Sequence, residues 1–427
     1  MVLNIVAARA LVLIVVQSQS FPFIRWLISL IRLLGCRCLS LPTILILKKA
    51  PNFNKMFAGE NTAEVSLDLP CRTVCAILAD RNESQFLVGS CTTSETNHIH
   101  VLHYNNTNDE MNVRAQLVQE QGPLEVICSS PKDPTLLCTA HSSSQLLIQQ
   151  LPDEVVLTTD CSDDRMDATT TMEQLIALET NGIVSDISWG DESTGELLFI
   201  ARSGHLTQFD IETQQSIRTL PLESPSSSLP RLQWDPHANG HAVAVSAGKR
   251  VHLLDWRTDT SIPTGTVDAF VAHRRPGCVT ALDYNPNKPY VLATGGQDGL
   301  VQFWDLRLTN RPLLVARGGH SHWISSLQYN PFHDQLVLSS GTDSIANLWR
   351  MSTISSAPLL TNDADVPDDD ASETAGPNAR IARHEHVDAI YSSCWSAADA
   401  WVYLSLGYDG KVQCHSVPSK EKYKILL

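Results

Sequence analysis

The sequence predicts an all-β fold, a ring of seven four-stranded blades forming a β-propeller, with an N-terminal extension outside the ring. Three observations predict it. One unit recurs with a period of about 45 residues, clearest as LDYNPNKPYVLATGGQDGLVQFWDLR from Leu282 and LQYNPFHDQLVLSSGTDSIANLWRM from Leu327, and five copies lie between Asp186 and Val417. Each good copy ends strand a in a turn dipeptide, Asp235-Pro236, Asn285-Pro286 or Asn330-Pro331, and Asp298-Gly299 and Asp409-Gly410 mark tight b–c hairpins. The strand-c endings carry Trp304-Asp305 and Trp349-Arg350, the ending of a WD repeat.

Aligned on the apolar residue of strand a, the units fall at Ile77, Val126, Ile187, Leu232, Leu282, Leu327 and Ser393. The first two are weak copies, held by alternating runs such as Phe86-Leu87-Val88 and Leu136-Leu137. Insertions fall around Cys161 to Gln174 and in the acidic loop 361–377. Residues 60–427 are assigned to the ring, because closing it sets every blade beside a neighbour and leaves only short, protected sheet edges. The clasp that closes it is expected from Glu64 to Leu69 and Tyr423 to Leu427. Residues 1–55 are set apart: the first 59 residues hold seven Arg or Lys and no acid, and no apolar run there reaches the ~20 residues that cross a bilayer. They read either as a targeting segment or as a gene-model extension ahead of a start at Met56.

A polar set recurs at blade spacing. His273, Thr294, Asp298 and Trp304 form it in the fifth unit, and His320, Ser339, Asp343 and Trp349 in the sixth. The seventh keeps His386, Ser405 and Asp409 but has His415 at the Trp position, and the fourth has Leu254 there, so its network is incomplete. A buried Asp-His pair is costly unless each partner is present, and this set supplies a hydrogen-bonded chain from surface turn to buried indole. These residues are therefore structural tetrads rather than a catalytic triad, which needs one convergent set.

No GxxxxGK[ST], HExxH, CxxC or GxSxG pattern is present, so no catalytic residue, cofactor or metal is assigned and the protein is not expected to be an enzyme. A net charge of -15 offers no basic stripe for nucleic acid. The 11 cysteines form no disulfide framework; Cys128, Cys138, Cys278 and Cys394 read as buried reduced thiols of a cytosolic chain. Three surface features could bind a protein partner. His322 and Trp323 stand in the turn before the sixth strand a, where Trp is a favoured interface anchor or simply a cover for the blade edge. Asp368, Asp369 and Asp370 crown an aspartate-rich loop that is either a solvated run or a strip for a basic partner. Asp305 and Arg307 belong to Trp304-Asp305-Leu306-Arg307, which resembles the WDxR motif of propellers that dock on the DDB-type adaptor of cullin ubiquitin ligases; the other reading is an ordinary strand end whose Arg pairs with a nearby acid.

HSHWISSLQYNPFHDQLVLSSGTDSIANLWRMSTISSAPLL (His320 to Leu360) and WSAADAWVYLSLGYDGKVQCHSVPSKEKYKILL (Trp395 to Leu427) go beyond a generic repeat. They resemble the EARP- and GARP-complex-interacting WD-repeat family, strongly over 231–427 and weakly over 60–230. The resemblance implies a non-enzymatic scaffold that binds EARP and GARP tethering complexes in endosomal recycling and trans-Golgi trafficking. It further implies a cytoplasmic protein, peripheral at endosomes and the trans-Golgi network and reaching membranes only through the tether. A monomer is expected.

Overall fold

The computed structural model describes residues 62–426, apart from 158–171, 191–196, 203, 223–228, 239–241, 256–267, 274–276 and 359–375. The extension 1–55, most of the acidic loop and Leu427 lie outside the described residues.

Among the described residues, twenty-eight strands form seven antiparallel four-stranded sheets. β1 (Thr62–Ser66) comes first in the chain but belongs to the last blade. Blade 1 is β2–β5 (Cys71–Ala76, Ser84–Ser90, Asn97–Asn105, Glu110–Gln119) and blade 2 is β6–β9 (Leu124–Ser129, Leu136–His141, Gln145–Gln150, Glu173–Glu179), with the short helix α1 (Asp153–Leu157) in its c–d connection. Blade 3 is β10–β13 (Val184–Trp189, Leu197–Arg202, His205–Asp210, Gln215–Pro221), and blade 4 is β14–β17 (Leu232–Trp234, Ala242–Ala247, Arg250–Asp255, Asp268–Val271). Blade 5 is β18–β21 (Val279–Tyr284, Val291–Gly296, Val301–Asp305, Leu314–Ala316) and blade 6 is β22–β25 (Ile324–Tyr329, Leu336–Gly341, Ile345–Met351, Asn378–Glu385). Blade 7 joins β26–β28 (Ile390–Trp395, Val402–Gly407, Lys411–Ser416) to β1.

The ring closes through the pairing of β1 with β28, from Thr62 opposite His415 to Ser66 opposite Lys411. The Glu64 half of the expected clasp therefore sits in the sheet. Tyr423 to Leu426 do not: Ser419–Leu426 is a helix, α2, with an ion pair of 2.9 Å between Lys424 and Glu421 one turn apart. Lys420, Glu421, Lys422 and Lys424 favour a helical turn over the β-branched alternation that an outer strand needs.

Successive strands a touch in cyclic order, β2 to β6, β10, β14, β18, β22, β26 and back to β2. The buried side chains pack between neighbouring sheets. Phe303, Ala293 and Val301 of blade 5 pack with Tyr329, Val337 and Trp349 of blade 6. Leu404, Val412 and Cys414 of blade 7 pack with Val74, Phe86 and Leu102 of blade 1, so the clasp blade is sealed by core contacts as well as by a ladder. Of the four cysteines expected to be buried, Cys138 and Cys394 are, whereas Cys128 and Cys278 are half-buried; all four are free thiols.

In six blades strand a carries a register shift near its first residue, and only the three-residue β14 lacks it. That β-bulge is a landmark the sequence lacks. It aligns Val74 and Ile127 with Leu327, correcting the positions Ile77 and Val126 chosen from sequence. The reason is local: Tyr329, Tyr284, Trp234 and Trp395 end their strands with an aromatic ring, but Ala76 and Ser129 end β2 and β6.

In five of these six blades the residue freed by the bulge reaches the next blade, since a bulged residue leaves the ladder and turns its side chain aside. Ser185 Oγ donates to the Pro230 carbonyl (2.6 Å), Thr280 Oγ1 to Ile324 (2.5 Å) and Ser325 Oγ to Ile390 (2.5 Å). Tyr391 faces the Arg72 guanidinium at 5.5 Å, and Arg72 pairs with Glu125 at 2.5 Å. These links form a belt on the upper face, the one that carries the b–c turns and the blade-to-blade turns.

Candidate partner-binding surface

The polar tetrads assemble inside single blades. In blade 5, His273 Nδ1 lies 3.0 Å from both Asp298 oxygens and Nε2 lies 3.2 Å from Thr294 Oγ1, which accepts the Trp304 indole N–H at 3.0 Å. Trp304 also tilts against Phe270 of blade 4, 4.8 Å between centroids, so the chain ends in the seam between blades. Blade 6 repeats it: His320 to Asp343 at 3.1 Å, His320 to Ser339 at 2.8 Å, and Trp349 donating to Ser339 at 2.8 Å. Burial raises the Asp298 and Asp343 carboxyls, but the hydrogen bonds from His273 and His320, the attraction of those rings and backbone N–H bonds together outweigh it and hold both below the usual carboxylate range.

Blade 7 is different. His386 Nε2 lies 2.8 Å from Ser405 Oγ, and Ser405 meets His415 Nε2 at 3.1 Å. Asp409 accepts the Lys411 backbone N–H, and no hydrogen bond joins it to His386, whose buried Nδ1 has no partner. The expected His386-Asp409 contact is therefore missing. His384 stacks on His415 at 3.6 Å and 18° and bonds the Tyr403 hydroxyl at 2.8 Å, which makes a group of three imidazoles, His384 half-buried and the other two buried, where blades 5 and 6 keep one and an indole. Burial pushes His384 and His386 down to about 4 and His415 well below its ordinary value.

A glycine ends strand b wherever the His-Asp pair sits above it: a Cβ at Gly341 would lie 2.7 Å from Asp343 Oδ1 and 2.8 Å from His320 Nδ1. Blade 2 shows the alternative. At the equivalent position stands His141, whose Nε2 lies 3.1 Å from Thr139 Oγ1, which also donates to Gln149 at 3.1 Å. The strand supplies the imidazole that the preceding turn lacks, a link the sequence reading passed over. The matched strings LLCTAH and LVLSSG would have shown it.

Between blades, Asp283 accepts Gln233 Nε2 of blade 4 at 3.0 Å and the Tyr329 N–H of blade 6 at 2.7 Å. Burial lifts its carboxyl to about 7. Among the described residues no group of three or more His, Cys, Asp or Glu is placed to hold a metal ion, and no helix is long and apolar enough to cross a membrane.

Of the surface candidates, Trp323 is 47% exposed. His322 stacks on it at 5.3 Å and 18°, and His322 Nδ1 meets Thr342 Oγ1 at 2.5 Å. The Trp323 carbonyl accepts the Thr342 N–H at 2.9 Å, so the pair is a braced platform on the upper face. Arg307 is on the opposite, lower face and is 65% exposed, but its Nε and Nη2 are forked onto Asp305 at 2.8 and 2.7 Å. That fork holds the Asp305 carboxyl below its usual range. The structure brings neither pair near the other. Asp368, Asp369 and Asp370 lie outside the described residues.

Seven blades closed by a strand from the N-terminal side and linked internally by His, Ser or Thr, and Trp define a WD-repeat β-propeller. Residues 59–349 match the family model described as the EIPR1 β-propeller, and the chain belongs to that family. It is 29% identical over 385 residues to the human EARP and GARP complex-interacting protein 1, covering 84% of this chain and 97% of that protein. It is 28% identical over 371 residues to EARP-interacting protein 1 of Caenorhabditis elegans, with 84% and 97% covered. To the WD repeat-containing protein DWA2 of Arabidopsis thaliana it is 25% identical over 369 residues, with 85% and 98% covered.

Proposed function

We propose that this chain is a non-enzymatic scaffold that binds EARP and GARP tethering complexes from the cytoplasm and thereby supports endosomal recycling and trans-Golgi trafficking. The observation that carries the reading is the likeness, over 84% of this chain and 97% of the relatives, to proteins named for interaction with those complexes. The architecture supports it: a closed ring holds its turns rigidly on two faces, and binding residues concentrate on turns held by a rigid scaffold. The histidines and aspartates that could suggest chemistry are engaged one blade at a time in the seams. Docking on a cullin-ligase adaptor through Arg307 has less support, because Asp305 already occupies the guanidinium fork and Trp304 is buried. Affinity capture of the tagged chain from cells tests the proposal: tether subunits should co-purify, and a folded chain that captures none of them refutes it.

A further inference from the structure

The upper face is not uniform, and its arc over blades 6, 7 and 1 carries an apolar strip. Trp323 is 47% exposed, Val387 85% and Tyr408 37%. Backbone contacts run unbroken between them. The turn after β23 takes the Trp323 carbonyl at Thr342 and offers the Ser344 carbonyl to the His386 N–H (2.9 Å), beside Val387. Tyr408 N–H then bonds the Ala389 carbonyl at 2.9 Å, and the Tyr408 carbonyl accepts Cys71 N–H at 3.1 Å. Tyr391 meets Tyr408 edge-on at 5.6 Å, and the two rings wall a pocket of about 300 Å³ with Arg72, Glu125 and Pro123. Folding does not need these side chains outside: Val387 packs on nothing to speak of, and large exposed apolar groups gathered on a rigid face mark interaction sites.

The charge around the strip is mainly acidic. Three of its cations are used internally, Arg72 pairing with Glu125, Lys411 with Glu64 and Arg383 with Glu385, while Arg317, in the turn that carries Trp323, is exposed. Asp68, Glu95, Glu120, Asp388 and Asp409 are exposed on the same turns, and none has a cation partner among the described residues. We infer that this arc is the docking surface for a basic amphipathic segment of the tethering complex, one that sets one or two large apolar side chains on Trp323, Val387 and Tyr408 and surrounds them with Lys or Arg. This rests on the proposed tether binding and adds to it the face, the anchor residues and the chemistry of the partner. Apolar anchors supply the binding energy at such a site and the acidic rim steers approach, so capture should weaken as salt screens the rim.

The test uses the full chain as bait in cells, with tether subunits quantified after capture. The variants are Val387→Asp, Trp323→Ala, the double reversal Asp388→Lys/Asp409→Lys, and Leu308→Asp as a control at an exposed site of the lower face. Each variant is first required to melt like the parent. We expect roughly tenfold or greater loss of capture for the three upper-face variants and parental capture for Leu308→Asp. Loss with the apolar variants but not with the charge reversal overturns the basic partner. Parental capture by every upper-face variant overturns the docking surface while leaving tether binding intact. Absence of tether subunits even with the parental bait refutes tether binding itself, and the inference falls with it.

Discussion

Acid should loosen the clasp blade first, and by a calculable amount. His384 and His386 fall from an ordinary 6.5 to about 4 because burial disfavours the charged ring, with the neighbouring imidazoles adding repulsion at His384. The groups facing them are His415, Tyr403, Ser405, Asp409, Lys411 and Glu64, and none of the carboxylates is hydrogen-bonded to either ring. As pH falls below about 6.5 the unfolded chain takes up these protons and the folded chain does not, so stability is intact at neutral pH and is lost progressively toward about 4. Near pH 5 each ring costs about 2 kcal/mol, and the pair about 4 kcal/mol. Urea denaturation at about pH 7.5 and about pH 5 measures the loss, and His384→Gln isolates one share, since glutamine can still hydrogen-bond Tyr403 but does not titrate. The variant should lose about 2 kcal/mol less than the parent between the two pH values. Equal losses, or stability flat across this range, would refute the reasoning.

Other perturbations follow from the same geometry. Ser339→Ala removes the shared partner of His320 and Trp349 and should cost about 3 kcal/mol in chemical denaturation, whereas an unchanged midpoint would mean water replaces the hydroxyl. Gly410 has φ +81, and a Cβ there would run into the Leu67 and Leu69 carbonyls, so Gly410→Ala should cost about 3 kcal/mol or more and be read as a lowered Tm. Deleting Thr62–Ser66 strips β28 of its neighbour and should increase aggregation relative to the parent by light scattering. Arg307→Ala removes an exposed ion pair and an exposed contact with the Tyr290 ring at 5.2 Å, and should shift stability by less than about 1 kcal/mol.

The blades that could be read from sequence are those whose strand a ends in an aromatic residue and whose turns carry Asn-Pro or Asp-Gly, because these residues fix backbone geometry locally. Blades 1 and 2 were misregistered where Ala76 and Ser129 stand instead, since the bulge that sets register arises from pairing and leaves no residue signature. The tetrads of blades 5 and 6 were legible because four residue types recur at fixed offsets. The failure of His386 to meet Asp409 was not, as a hydrogen bond depends on side-chain direction and not on spacing. Val387 and Asp388 escaped notice for a related reason. A valine in a turn is ordinary in a string and becomes informative only when its side chain is found uncovered on the face that also exposes Trp323 and Tyr408.

The pairing of β1 with β28 also sets a schedule for synthesis. Ser66 leaves the ribosome some 345 residues before Lys411, its partner in the ladder. At ordinary translation rates the first strand waits about 20–70 s with an open edge, while the blades behind it stack without a closed ring. Cotranslational folding can therefore build an arc but cannot complete the propeller. The cell has to shield that strand until the chain is nearly finished, and a nascent chain stalled before residue 411 is left with a sticky end at each side.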